Sequence, residues 1–199
     1  LEVMPNKLGK KPALFNVKGD GSLNAGGVEI YSAKPLTIKN TNRQINKLHT
    51  LFQKSGSSVD QRCGYHLHLD CTRLSHNQVL ALIKFSMVVN ESVFSLVDKS
   101  RRNYSFSKKF KVPINIPTFM DALTAIKWYR ENVACTSRYY WFNICSYFAR
   151  GTIEIRLHQG TVDKNEINNW IELWAKLFKY ITENTNVVLD NGDILYWAR

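Results

Sequence analysis

In "CGYHLHLD" (63–70), His66, His68 and Asp70 take alternate positions, with Tyr65, Leu67 and Leu69 between them. Successive side chains of a β-strand point to opposite faces, so this spacing lines two imidazoles and a carboxylate along one side of a strand. The pattern recurs in "TIEIRLH", where Thr152, Glu154, Arg156 and His158 alternate with Ile153, Ile155 and Leu157. It recurs again in "GVEIYS", where Glu29 stands between Val28 and Ile30. A half-solvated antiparallel sheet also alternates, but with Thr, Ser, Lys and Glu in mixed order on its wet face. Aspartate and glutamate are poor strand formers, so placing them on strands beside histidine and arginine has a local cost that a functional face would justify.

Carboxylates with an imidazole suit a hard cation such as Mg²⁺ or Mn²⁺. An arginine two residues from such a carboxylate shares its face and can clamp phosphate oxygens. Metal and arginine together are the equipment of phosphoryl transfer, where developing charge is stabilised electrostatically. The chain contains neither G-x-x-x-x-G-K-[ST] nor a helix-opening G-x-G-x-x-G. A nucleotide would therefore be held by the sheet and its cations, not by a phosphate loop. A metallohydrolase using the H-x-H pair directly would need further ligands, and His76 and His158 are poorly placed for it.

These strands need a scaffold, and the chain supplies one. With 199 residues, 44% of them hydrophobic and 12% aromatic, it can bury a core and reads as one domain. It opens on Leu1 rather than Met, which reads as a fragment or a processed product. There is no apolar run of about 18 or more residues, so no membrane-spanning helix is expected. Cys63, Cys71, Cys135 and Cys145 show no C-x-x-C spacing; reduced thiols in a cytoplasmic protein, and no zinc site, are the expectation. A net charge of +11, with basic clusters at 10–12, 98–103 and 107–112, favours anionic partners. Nucleic acid is compatible with that charge, although no motif indicates it.

A turn-rich loop at 19–27 leads into "VEIYS". A helix is predicted over 41–54, with Thr41 and Gln44 as a capping box and Ile45, Leu48, Leu51 and Phe52 as its apolar stripe. A second begins at Ser75, with Gln78 completing the box, and runs on through "VLALIKFSMVVNESVFSLVD". A third starts near Thr118, and the last opens with Asp163 and Glu166. The segment 138–161 reads as two strands joined by a turn around Ala149–Gly151. Short strands between long amphipathic helices give an α+β class, an antiparallel sheet with helices packed on one face.

The motifs "DGSL…GGVEIYSAKPL", "CGYHLHLD", "RRNYS" and "RYYWFNI…GTIEIRLHQGT" resemble, in order and spacing, those of the amidoligase family. These are carboxylate–amine ligases related to glutamine synthetase and γ-glutamylcysteine synthetase. The resemblance implies a glutamine-synthetase-like curved antiparallel sheet with helices behind it. It implies ATP- and Mg²⁺-dependent (or Mn²⁺-dependent) activation of a carboxylate to an acyl phosphate, which an amine attacks. It further implies metal ligation by Glu29, His66 and Glu154, with Arg156 on the transferring phosphoryl group. His68 would lie beside the phosphates or the acceptor, Asp20 would be a substrate- or metal-proximal loop residue, and Arg102 and Tyr104 would contact substrate or nucleotide. Arg138 and Asn143 are further candidates. The family's first strand carries G-x-E-x-E, and upstream of Asp20 the chain has a single acidic residue, Glu2. Two readings follow: a chain without its native first strand, or a non-catalytic descendant whose basic surface meets an acidic partner.

Overall fold

The computed structural model describes residues 14–21, 23, 27–110, 121–134 and 138–186. Strands β1 (Phe15–Gly19) and β2 (Val28–Ser32) pair antiparallel with each other, Phe15 opposite Ser32 and Gly19 opposite Val28. Helix α1 (Ile38–Ser55) leads to β3 (Gly64–Asp70), which is followed by α2 (His76–Val88), α3 (Asn90–Ser95) and α4 (Lys99–Arg102). Helix α5 (Ala122–Tyr129) ends in a π-turn over Arg130–Ala134. Then come β4 (Phe142–Asn143), α6 (Cys145–Arg150), β5 (Thr152–Gln159) and α7 (Lys164–Glu183). The second sheet is antiparallel in the order β3-β5-β4, with β5 central.

The architecture is mixed α and β. Among the described residues the strands form two small antiparallel sheets, and the "VEIYS" strand pairs within the hairpin and not with the strands that carry the histidines. The helices do gather on the apolar face of the second sheet. Ile153, Ile155 and Leu157 are fully buried there and join a core with α2, Trp141, Trp170 and Trp174. Each such aliphatic side chain contributes about 1.5–3 kcal/mol by leaving water. Ile45 of α1 meets Ile167 and Ile171 of α7 over Tyr65 and Leu67, which closes the far side of β3. No described helix is long and apolar enough to cross a membrane.

Local chemistry moves several element boundaries. Helix α1 starts one turn early because Thr37, not Thr41, is the cap: its side chain accepts from the Asn40 amide. Thr41 is buried and donates to the Thr37 carbonyl, and Leu51 of the expected stripe is exposed. Ser75 and Gln78 form the full reciprocal capping box on α2. The long second helix breaks after Val88, where the Asn90 amide binds the Met87 and Phe110 carbonyls. Asp163 caps α7 as expected, but Glu166 turns away to accept from Thr161 and Gln159. The start expected near Thr118 lies outside the described residues; the described helix begins after its cap Asp121.

The turn expected around Ala149–Gly151 is a helix, α6. Its first residue is fixed when the Asn143 side chain accepts from the Cys145 amide, and Gly151 ends it at φ 70°. A Cβ on Gly151 would lie 2.6 Å from Thr72 Cγ2. Left-handed backbone costs a residue with a Cβ about 1–2 kcal/mol before any clash is counted. Gly151→Ala is expected to destabilise the chain by about 2 kcal/mol or more in urea unfolding. Adding Thr72→Ser should recover only the steric share.

Candidate functional site

Glu154 sits on the central strand and draws a partner from each neighbour. From β3, His66 Nδ1 lies 3.2 Å from its Oε1. From β4, Asn143 Nδ2 donates to its Oε2 at 2.6 Å. Its own strand supplies Arg156, whose Nη1 donates to Oε1 at 2.7 Å. His68 Nε2 stands 3.8 Å from the same oxygen. The Glu154 side chain is only 8% exposed. Burial alone would raise its pKa, but the His66 hydrogen bond, the Arg156 and His66 charges and the Asn143 amide outweigh it and hold the carboxyl at about 2.

A β-bulge lies beside this cluster. His68 pairs with Glu154 and Leu67 with Ile155, and the register then slips so that Tyr65 opposes His158. Arg156 and Leu157 together face His66, and beyond them the strand's alternation reverses. His158 therefore leaves the polar row in which simple alternation puts it. It packs edge-on to Tyr65 and 4.7 Å from the Trp170 ring, buried on the helix side.

His68 is oriented by hydroxyls. Its Nδ1 lies 3.0 Å from Thr152 Oγ1 and 3.3 Å from Ser146 Oγ, and the two hydroxyls are 2.9 Å apart. Burial, with Arg150, His66 and Arg156 nearby, lowers its pKa against the pull of Glu154, so the ring is neutral at pH 7. Since Glu154 can only accept, the His66 contact requires an Nδ1–H, and in the neutral ring Nε2 then carries the lone pair. The face thus offers a neutral imidazole, a second imidazole polarised by a carboxylate and an arginine.

The other expected residues lie elsewhere. Glu29 pairs with Lys18 at 2.9 Å within the hairpin. Asp20 belongs to the loop after β1, where its amide bonds the Gly27 carbonyl. Arg102 donates to the Ser95 and Val97 carbonyls behind α4. Tyr104 OH donates to the Arg62 carbonyl, and its ring lies 4.1 Å beneath the Arg101 guanidinium. Arg138 hydrogen-bonds Tyr139. Asp70 ends its strand by accepting from the Thr72 amide and hydroxyl, which hold its pKa down. Sequence reasoning missed Ser146 and Arg101. Nothing in "CSYF" marks the serine, and only the phase of the short α4 separates Arg101 from Arg102.

Among the described residues no group of three or more His, Cys, Asp or Glu side chains is arranged to hold a metal ion such as the magnesium that the resemblance implies. The two oxygens of Glu154 are engaged by Arg156, His66 and Asn143.

The family model described as "Putative amidoligase enzyme" matches residues 14–178, most of the chain. The chain belongs to the amidoligase family. No curated protein and no solved structure gives a significant match. The family assignment thus agrees with the motifs on β3 and β5, and the match includes Glu154, Arg156, His66 and His68.

The folded pKa of Glu154 lies below its ordinary value of 4.5, so the stability it confers is fully present above about pH 4.5 and is lost as pH falls towards 2. That share is about 3 kcal/mol. Urea unfolding between pH 6 and pH 2.5 is expected to show a drop of that order for the native chain. A much shallower drop is expected for Glu154→Gln, which should already be destabilised at neutral pH because Arg156 is left unpaired.

Proposed function

We propose that this amidoligase joins a carboxylate to an amine, and that the face around Glu154 is where the carboxylate is activated. The observation that carries this reading is the buried, ionised Glu154 holding Arg156 and His66 in fixed positions beside a neutral His68. A fixed guanidinium and fixed hydrogen-bonding groups on a partly water-excluded surface stabilise charge that develops in a transition state without reorganising.

ATP is the proposed phosphoryl donor. A substrate carboxylate oxygen attacks its γ-phosphorus, the bond to the ADP oxygen breaks, and an acyl phosphate results. Arg156 neutralises the transferring oxygens, tethered by Glu154 so that it need not be ordered at the moment of reaction. The amine then attacks the acyl carbon and expels phosphate. His66 takes the amine's proton at Nε2, its imidazolium stabilised by Glu154 through Nδ1–H. His68, neutral and fixed by Ser146 and Thr152, borders the acceptor side. No step is assigned to a metal, because the described residues do not gather its ligands.

A second reading, a non-catalytic descendant binding an acidic partner, has one observation in its favour: Glu29 is ion-paired to Lys18 in a separate sheet. One assay separates the two. The chain is incubated with ATP, a panel of amino-acid and dicarboxylic substrates, and hydroxylamine as a general acceptor. The ligase reading expects hydroxamate and ADP in equal amounts, with Arg156→Ala lowering kcat/KM by about 100-fold or more. ADP release that needs no carboxylate, or no turnover with any of the panel, would contradict it.

A further inference from the structure

The second arginine near the site is the one that sequence reasoning passed over. Arg101 is 1% exposed, among the largest fully buried side chains. No carboxylate pairs with it among the described residues, and its Nη1 is buried without a hydrogen-bond partner. A buried guanidinium lacking a counter-ion costs several kcal/mol. Its position has to return something for that cost.

Its other nitrogens show what. Nε donates to the Leu157 carbonyl and Nη2 to the Arg156 carbonyl, both at 3.3 Å. These are the two residues of the bulge in β5. A bulge interrupts the ladder and leaves backbone groups without strand partners, and a planar fork can serve two adjacent carbonyls at once. We propose that Arg101 is a positioning residue: by clamping the bulge carbonyls it holds the Arg156 backbone where its side chain meets Glu154, and it sets the strand phase that turns His158 to the helices.

Three further features fit this role. The Tyr104 ring, 4.1 Å from the guanidinium, supplies a cation–π face and, through its hydroxyl on the Arg62 carbonyl, fixes the loop behind it. Position 64 leaves room for the clamp, since a Cβ there would lie 3.0 Å from Arg101 Nη2. The charge also works on Arg156: with a like charge behind it, Glu154 is its favoured counter-ion. The clamp's effect on turnover rests on the ligase reading; its effect on strand phase does not.

The test uses the whole chain and two readouts. The first is the NMR shift of the His158 ring proton, displaced by its contact with Trp170. Arg101→Lys keeps the charge but cannot hold both carbonyls, and the His158 signal is expected to move towards its free-residue position. Gly64→Ala, which pushes on the guanidinium without removing it, should move the signal the same way and serves if the lysine variant does not fold. Arg102→Ala, which loses carbonyl bonds of similar number away from β5, should leave it in place. A His158 signal unmoved in Arg101→Lys and Gly64→Ala, or moved equally in Arg102→Ala, would overturn the proposal. The second readout is hydroxamate formation. Arg101→Lys should lower kcat/KM by about 100-fold in the native background and change little once Arg156 is already alanine. Full loss in both backgrounds would also overturn it. An inactive native chain with the His158 shift as expected would count against the ligase reading alone.

Discussion

A carboxylate buried on the middle strand of a small sheet is the constraint on which the site depends. Glu154 could not stay ionised there unaided, because removing a carboxylate from water costs several kcal/mol. Each strand of the sheet answers part of that cost: His66 from β3, Asn143 from β4 and Arg156 from β5 itself. The arrangement is mutual. The anion fixes Arg156 and His66, and their positions fix the strands' register. A two-residue strand such as β4 has little ladder of its own, so the amide of Asn143 matters twice, once for Glu154 and once for the start of α6.

What the site can do follows from which groups are engaged and which are not. The oxygens of Glu154 are occupied by donors, while the His66 and His68 side chains remain about a third open to solvent. Membership of the amidoligase family points to a ligase-type chemistry, and carboxylate activation on this face is the reading proposed for it. On this view Glu154 works by holding charged groups in place before the reaction begins, and the groups it holds do the chemistry.

The strands of the site were largely legible in the sequence; their phase was not. The H-x-H alternation and the Glu-x-Arg pair are simple period-2 signals, and both fall on one face as read. His158 does not, because one extra residue in β5 reverses the alternation and a bulge has no reliable residue code when no glycine marks it. Capping was legible where side chain and backbone bond reciprocally, as at Ser75 and Gln78, and misread where two threonines compete, as at Thr37 and Thr41. Helix α6 replaces a turn because Asn143, a strand residue, caps it from outside. Arg101 and Arg102 are neighbours with identical chemistry, and the fold alone decides which one is buried. The grouping of Glu29 with the histidines failed for a different reason: a polar-faced strand does not announce which sheet it joins.

The central claim is that Glu154 is an ionised carboxylate held by its neighbours, and its own titration tests that most directly. With ¹³C label on glutamate side chains and Glu154→Gln to assign the resonance, the carboxyl carbon can be followed from pH 7 downward in the folded chain. The account predicts a signal that stays at the ionised position through pH 4 and begins to move only as pH approaches about 2 or the fold is lost. A midpoint at or above the ordinary 4.5 would mean that burial wins over its partners. Its partners would then give no net stabilisation to the charge, and only a midpoint above 7 would leave Glu154 a neutral acid at neutral pH without the ion pair on which the site is built.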